Sequence, residues 1–490
     1  MSPIIDGKFP KSTDVVDELL PVSGPVEAAG SEVEASAAAA AAVESVSASL
    51  EHAESAEDRS HRLSVATLML LVSALLFFMA TKARGTAVFA LSDESDSVVL
   101  PRFSVPAVPT VIVCAVICII AAAGLFLKAP PKVRVALNVL AGLALLVGFL
   151  SWAAGDRAFP FYITAQLNGS LALAVPLIFG ALGGLIGERS GVVNVAVEAQ
   201  FLSGAFAAAL VGTMVKNAIQ APCKLMADAM AASECMADAA PWAISAAMAA
   251  SMVMGLLMAA LLALFTVKYL VDQVVMGVVM NLFATGLTGY LYQQFVNSDR
   301  ETYNFVPTMS RISVPGLSEI PFIGPILFQQ KPLTYIAFGC VVLVWFLLFR
   351  TKWGLRVRSV GEHPEAAETV GINVRATRWQ AVLVGGLFAG LGGSYFIVMA
   401  TGQFVRDISS GLGFVAIATF IMGRWRPGLS LLMALFFGFV SQLTIQMQSL
   451  NTGLDGAFLS MLPYVATVVA VAGLVGRVVA PAADGTNYVK

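Results

Sequence analysis

Long runs of apolar residues, separated by short polar stretches, dominate the pattern of this chain. Twelve can be drawn, at roughly 63–80, 107–128, 135–154, 168–187, 197–216, 241–266, 274–296, 333–350, 379–400, 411–423, 428–448 and 459–476. Most reach the ~18 residues a helix needs to cross a hydrocarbon core of roughly 30 Å. Inside such a core each backbone N–H and C=O must find its partner within the spanning element, which excludes open strands. The pattern therefore predicts an all-α, polytopic transmembrane helical bundle. The tenth run is short for a crossing and reads as a half-helix or re-entrant element.

Composition agrees with that reading. Of 490 residues, 58% are hydrophobic and 12% charged, against roughly 25% charged in a soluble domain. The net charge of −2 hides an asymmetry. Residues 1–62 carry twelve acids and four bases, a net of −8, which leaves +6 for the rest. This acidic, Ala-rich stretch, with its unbroken Ala37–Ala42 run, reads as a disordered cytoplasmic tail without the pattern of a signal peptide, although Glu32–Asp58 has the Ala/Glu content of a marginal helix. The organisation expected is that tail (1–62), extra N-terminal spans (63–160), a transport core (161–478) and a short C-terminal tail (479–490). No basic patch points to nucleic acid. The three histidines (His52, His61 and His363) all lie outside the apolar runs, which excludes a His-ligated metal site within the membrane. No cofactor is expected. No G-x-x-x-x-G-K-[ST] occurs, so the chain has no P-loop of its own.

Lys and Arg set the orientation. Arg350–Arg378 holds six of them, more than any other loop, and placing it in the cytoplasm puts both termini there as well. Two segments then face outward. Ser298–Lys331, with four prolines, reads as an ordered turn-rich loop. Asn217–Ala240 carries Cys223 and Cys235; a disulfide and two free thiols are both open readings. Cys114, Cys118 and Cys340 lie in apolar runs and read as small apolar packers.

Polar residues embedded in apolar runs point to a pathway, because burying them in lipid is costly. Asn194 and Glu198 follow the break at Glu188–Gly191, four residues apart as on one helix face. Asn281 lies inside the seventh run, and Gln403, Arg406 and Asp407 precede the short tenth one. Glu188 and Arg189 read as an ion pair at the inner surface. A Gly-rich span, a polar break and a small-residue helix occur at 180–212 and again at 385–423, an internal repeat of broken helices of the kind that forms substrate sites in carriers. Pathway lining by Asn194, Glu198, Asn281 and Gln403 competes with plain interhelical hydrogen bonding. The glycines at 180, 183, 184, 187, 386 and 390 report close helix packing and do not locate a substrate.

The stretch Gly354–Ile372 reads G-L-R-V-R-S-V-G-E-H-P-E-A-A-E-T-V-G-I. Gly361 breaks the preceding segment, Pro364 suits a first helical turn, and Glu365 and Glu368 favour its positive end. Ala366, Ala367 and Val370 give it a smooth face, and Gly371 ends it. A short helix along the membrane, bracketed by Arg, could dock a partner; a solvated loop helix is the plainer alternative.

This loop resembles the EAA-type coupling loop of bacterial ABC importer permeases, which enters a cleft of the ATP-hydrolysing subunit. Gly180–Gly204 (G-A-L-G-G-L-I-G-E-R-S-G-V-V-N-V-A-V-E-A-Q-F-L-S-G) resembles permeases of the simple-sugar and nucleoside import group. So do Asp272–Asn281 (D-Q-V-V-M-G-V-V-M-N), Val314–Phe328 (V-P-G-L-S-E-I-P-F-I-G-P-I-L-F) and Ser410–Pro427 (S-G-L-G-F-V-A-I-A-T-F-I-M-G-R-W-R-P). The four stand in family order over about residues 168–450. The resemblance implies a translocation subunit, not an enzyme, in the cell membrane. It moves a nucleoside, or a simple sugar such as ribose or galactose. Its implied partners are an ATP-binding cassette subunit, a second permease subunit in a hetero- or homodimer, an extracytoplasmic substrate-binding lipoprotein and the surrounding lipid. Gly361, Glu362, Pro364, Glu365, Ala366, Ala367 and Gly371 would couple it to the ATPase. An ion-gradient-driven transporter is the competing class, but no acid lies near the centre of any run to carry protons.

Overall fold

The computed structural model describes residues 56–92, 99–223, 226, 229–473 and 479–489. The chain divides into a short unit, Met1–Leu63, and a large one, Ser64–Lys490. Of the acidic tail, residues 1–55 lie outside the described ones, and Ala56 already begins the first helix.

The order is α1 (Ala56–Lys82), β1 (Thr86–Ala90), β2 (Phe103–Pro106), α2 (Ala107–Phe126), α3 (Pro131–Ala154), β3 (Phe161–Tyr162), α4 (Ile163–Glu188), α5 (Val197–Cys223) and α6 (Ala229–Ala263). Then come α7 (Gln273–Leu291), α8 (Arg300–Tyr303), β4 (Ile312–Ser313), α9 (Ile323–Leu327), β5 (Gln329–Gln330), α10 (Pro332–Arg350), α11 (Lys352–Glu362), α12 (Pro364–Thr369) and α13 (Val374–Ser394). The described chain closes with α14 (Leu412–Met422), α15 (Pro427–Ser449), α16 (Gly456–Ser460) and α17 (Leu462–Gly473). Helices α6, α7 and α13 continue through wider π-helical turns to Lys268, Val296 and Thr401.

Ten of these helices are long and apolar enough to cross a membrane, so the chain is a multi-pass helical bundle. The tenth apolar run is α14, whose 11 residues rise only about 16 Å at 1.5 Å each. The last run is divided into α16 and the 12-residue α17, beyond which 474–478 lie outside the described residues.

Two spans form the centre. In α4 and in Val374–Thr401, 78% of the apolar window is buried, against 17% in the α3 span. Glycine makes their contact close: a Cβ on Gly385 would stand 2.4 Å from the Gly183 carbonyl oxygen. On the other flank of α13, a Cβ on Gly255 of α6 would stand 2.4 Å from Gly386 O. The small-residue spacing read from the sequence thus marks backbone-to-backbone approach. Phe179, Phe201 and Phe420 fill the space between these helices and are fully enclosed.

The N-terminal spans carry their own core of Leu76, Val111, Cys114, Cys118 and Ala144. They attach through a small sheet of order β2-β1-β3, where β1 runs antiparallel to β2 and parallel to β3. Arg157 donates to Asn451 O (3.0 Å) and Thr452 O (3.2 Å), tying this end to the loop after α15. Cys223 and Cys235 form a disulfide, which settles the alternative the sequence left open.

Candidate functional site

The chain is interrupted twice beside the central helices. The first interruption runs from Arg189, after α4, to Ala196, before α5. Three side chains hold it. Asn194 Oδ1 accepts from Ala196 N (3.1 Å), which turns the chain into α5, and Asn194 Nδ2 donates to Gln200 Oε1 (3.3 Å). Asn281 of α7 donates to Val195 O (3.1 Å) and accepts from Ala199 N (2.9 Å), clamping both sides of the helix start. Gln273 Oε1 accepts from Val193 N (2.6 Å). Asn194 therefore precedes the helix; the expectation that it shares a helix face with Glu198 fails because its amide satisfies the chain as it turns.

The second interruption runs from Gly402 to Gly411. Asn304, in the long Ser298–Lys331 loop, donates to Phe404 O (2.9 Å) and accepts from Phe404 N (2.6 Å). Val306 N and Met309 N donate to Gly402 O and Val398 O, so this loop is an ordered cover. Asp407 and Ser410 adopt left-handed backbone conformations, φ 53° and 48°, which carries a cost that surrounding contacts must offset.

Glu198 joins the two interruptions. Its Oε1 accepts from Ser409 Oγ (2.6 Å) and Gly411 N (2.9 Å), and its Oε2 from Gly413 N (2.6 Å). The carboxylate thus sits in the first turn of α5 and against the first amides of α14, at two positive helix ends. Space is tight there: a Cβ on Gly413 would lie 2.5 Å from Glu198 N. Asn194 and Asn281 thus hold the turn into α5, whereas Glu198, on the same stretch, reaches across to the second interruption. Gln403 stands apart on the second interruption, half-buried, its backbone N–H directed at Thr401 Oγ1.

The Lys352–Asn373 segment lies at the end of the bundle where α4 finishes. Thr351 caps α11 by accepting from Gly354 N (3.1 Å). Gly361 does not break this helix; it is its penultimate residue, and the turn falls at His363. The residue must be Gly for another reason, since a Cβ would stand 2.2 Å from Arg189 O. Pro364 opens α12 as the sequence suggests, and Gly371, at φ +84°, ends it. Glu362, Glu365, Ala366 and Val370 are exposed, whereas Ala367 turns inward against Val360, Val374 and Tyr488. A cleft of about 560 Å³ lies beside α12, between Glu368, Gly371, Asn373, Arg375 and Tyr488.

Glu188 and Arg189 do not pair as expected. Both turn to Trp425, the carboxylate accepting from the indole Nε1 (2.6 Å) and the guanidinium donating to the backbone oxygen (2.9 Å). Trp425 sits beyond α14, so this knot ties α14 to the end of α4. Burial lowers the Arg189 side chain from its ordinary value, and nearby Glu362 opposes that shift.

The hydrophobic pattern does not single out Gln200, Gln273, Asn304 or Ser409. The usable signal was an amide or hydroxyl beside a break, which periodicity does not score. Among the described residues no group of His, Cys, Asp and Glu could hold a metal ion.

A helical bundle interrupted at two joined breaks, with a surface loop helix at one end, has the form of a membrane transport subunit. A family model described as branched-chain amino acid transport system / permease component matches residues 166–480, and the chain belongs to this family. It is 37% identical over 324 residues to a guanosine ABC transporter permease protein of Bacillus subtilis, covering 66% of this chain and 95% of that one. A nucleoside ABC transporter permease protein of Lactococcus lactis is 36% identical over 324 residues, 65% and 95% of the two chains. A putative glucose ABC transporter permease protein of Haloferax volcanii is 31% identical over 301 residues, 60% and 81% of the two chains. No solved structure matches.

Proposed function

We propose that this chain moves a nucleoside into the cell, driven by ATP hydrolysed on a separate cassette subunit. The observation that carries the reading is the 37% identity extending over 95% of a guanosine ABC transporter permease. A simple sugar is the second substrate class, favoured by the 31% identity to a putative glucose ABC transporter permease. Family membership favours this class of transporter over an ion-gradient carrier.

On this reading the Lys352–Asn373 end faces the cytoplasm together with both termini, and Glu362, Pro364, Glu365, Ala366 and Gly371 meet the cassette subunit. A substrate-binding lipoprotein delivers solute to the opposite end, over the Ser298–Lys331 cover, and a second permease subunit completes the pathway. Asn194, Glu198, Asn281 and Gln403 belong to the pathway by shaping the two interruptions; Asn194, Glu198 and Asn281 already spend their polar atoms on the chain. The chain itself performs no covalent chemistry. Closure of the cassette subunits would press α12, and Gly361 would carry that motion to Arg189 at the first break.

The test is purification of the tagged chain in mild detergent, followed by uptake of labelled guanosine in liposomes. A co-purifying P-loop subunit and ATP-dependent uptake are expected. Replacing Glu365 by Lys should abolish uptake without loss of membrane insertion. Recovery of the chain alone, with uptake driven by an ion gradient, would overturn the reading.

A further inference from the structure

The C-terminal segment after α17 lies across the same end of the bundle as α12, and nothing in the transport mechanism above uses it. Residues 479–489 make no regular element, yet their contacts are dense and specific. Ala483 N donates to Gly361 O (2.9 Å) and Ala482 N to Glu362 Oε2 (3.3 Å). The Tyr488 hydroxyl donates to the Glu368 carboxylate, and its ring packs with Val360, Ala367 and Val374. These contacts grip both α11 and α12.

The opposite edge of the segment touches the first interruption. Ala483 O packs so closely on Gly191 that a Cβ there would stand 2.8 Å away. The Asp484 carboxyl meets that of Glu188, and Arg378 Nη1 donates to Thr486 O (2.8 Å). Asn487 Nδ2 donates to Leu270 O (2.7 Å), three residues before the Gln273 that holds Val193. One short segment therefore bridges the loop that faces a cassette subunit and the break that shapes the pathway. Two tight turns, Asp484 N to Pro481 O and Thr486 N to Ala483 O, stiffen it between those contacts.

We propose that residues Ala482–Tyr488 are a positioning link that fixes α12 to the first helix break, so that motion of α12 reaches the pathway. The link rests on the reading of the chain as an ABC permease, but its structural half can be measured without any partner. Tyr488 holds α12 through its ring and one hydroxyl, Ala482 and Ala483 hold α11 through their backbone N–H groups, and Ala483 O and the Asp484 carboxyl meet the break. Neither cut removes any of the described apolar helices, which all precede the segment.

Two variants test it, Tyr488→Phe and a chain ending at Ala480. In the isolated detergent-solubilised protein, hydrogen exchange over 361–372 should rise about fivefold in Y488F, the effect of one lost hydrogen bond, and further in the shortened chain. With the co-purifying cassette subunit in liposomes, both variants should hydrolyse ATP at the wild-type rate but move less guanosine per ATP. Unchanged exchange over 361–372 in the shortened chain would overturn the link. Unchanged solute moved per ATP would overturn its role in transmission. Failure of the wild-type chain to recruit a P-loop subunit would remove the transmission claim along with the ABC reading, and the exchange result separates that failure from a failure of the link.

Discussion

Glu198 offers the sharpest separation between a residue that holds the pathway and one that contacts the solute. Its carboxylate accepts three hydrogen bonds from the start of α14 and the chain before it. Glu198→Gln keeps one oxygen and replaces the other by an amide donor. Whichever way the amide turns, at least one backbone N–H then faces another donor. Hydrogen bonds to a charged group contribute about 1.5–3 kcal/mol each, and a charge at a helix N-terminus adds about 0.3–1 kcal/mol. Glu198 is only partly buried, so we expect a loss of about 2 kcal/mol after allowing for solvent screening. Because ~1.4 kcal/mol is tenfold in an equilibrium, local opening of the second break should increase about 30-fold. Hydrogen exchange of the peptide containing Gly411 and Gly413 reads this directly. Glu198→Asp, shorter by about 1.5 Å, should fall between the two. The reasoning is refuted if E198Q leaves exchange at 402–413 within about twofold of wild type. A changed substrate preference in the same variant would then place Glu198 on the solute.

Three further outcomes are expected. Gly385→Ala puts a Cβ 2.4 Å from Gly183 O, so α4 and α13 must separate; thermal melting in detergent should fall by several degrees, and an unchanged melting point would show that the helices yield easily. Reducing the Cys223–Cys235 disulfide should destabilise the protein by up to about 3 kcal/mol through the freed chain entropy, visible as earlier melting with reductant that a Cys223→Ser variant does not show. Burial raises the Asp484 carboxyl from 3.8 to about 6, with Arg378 partly opposing the shift. The folded state then holds its proton more tightly than the unfolded state, so this group's contribution to stability is fully present below about pH 4 and is lost as pH rises through about 6. Over that range wild type should lose melting temperature relative to Asp484→Asn; an identical slope in both would contradict the assignment.

The class of fold was legible because a bilayer imposes it. A run of ~20 apolar residues with satisfied backbone has few alternatives to a spanning helix, and the short tenth run was recognisable by length alone. The loop helix α12 was equally readable: Pro364 at its start and Gly371 past its end are local backbone constraints, and local constraints survive without the rest of the molecule. Gly361 is the complementary case. Its glycine answers to Arg189, far earlier in the chain, and a one-dimensional pattern cannot separate a glycine that ends a helix from one that admits a neighbour. Adjacency suggests that Glu188 and Arg189 pair, whereas Trp425 supplies a donor to one and an acceptor to the other.

By itself the sequence determined the membrane-embedded helices, the positions of the two interruptions and the local stops of the loop helix, because each follows from hydrophobicity or backbone geometry within a few residues. The tertiary structure alone decided what those interruptions are fastened to. Glu198 reaches Gly413, Asn281 reaches Val195, Asn304 reaches Phe404 and Ala483 reaches Gly361. The nearest of these pairs is still 86 positions apart along the chain. Hydrogen bonds of that kind depend on where packing brings chains together, and no local propensity encodes them.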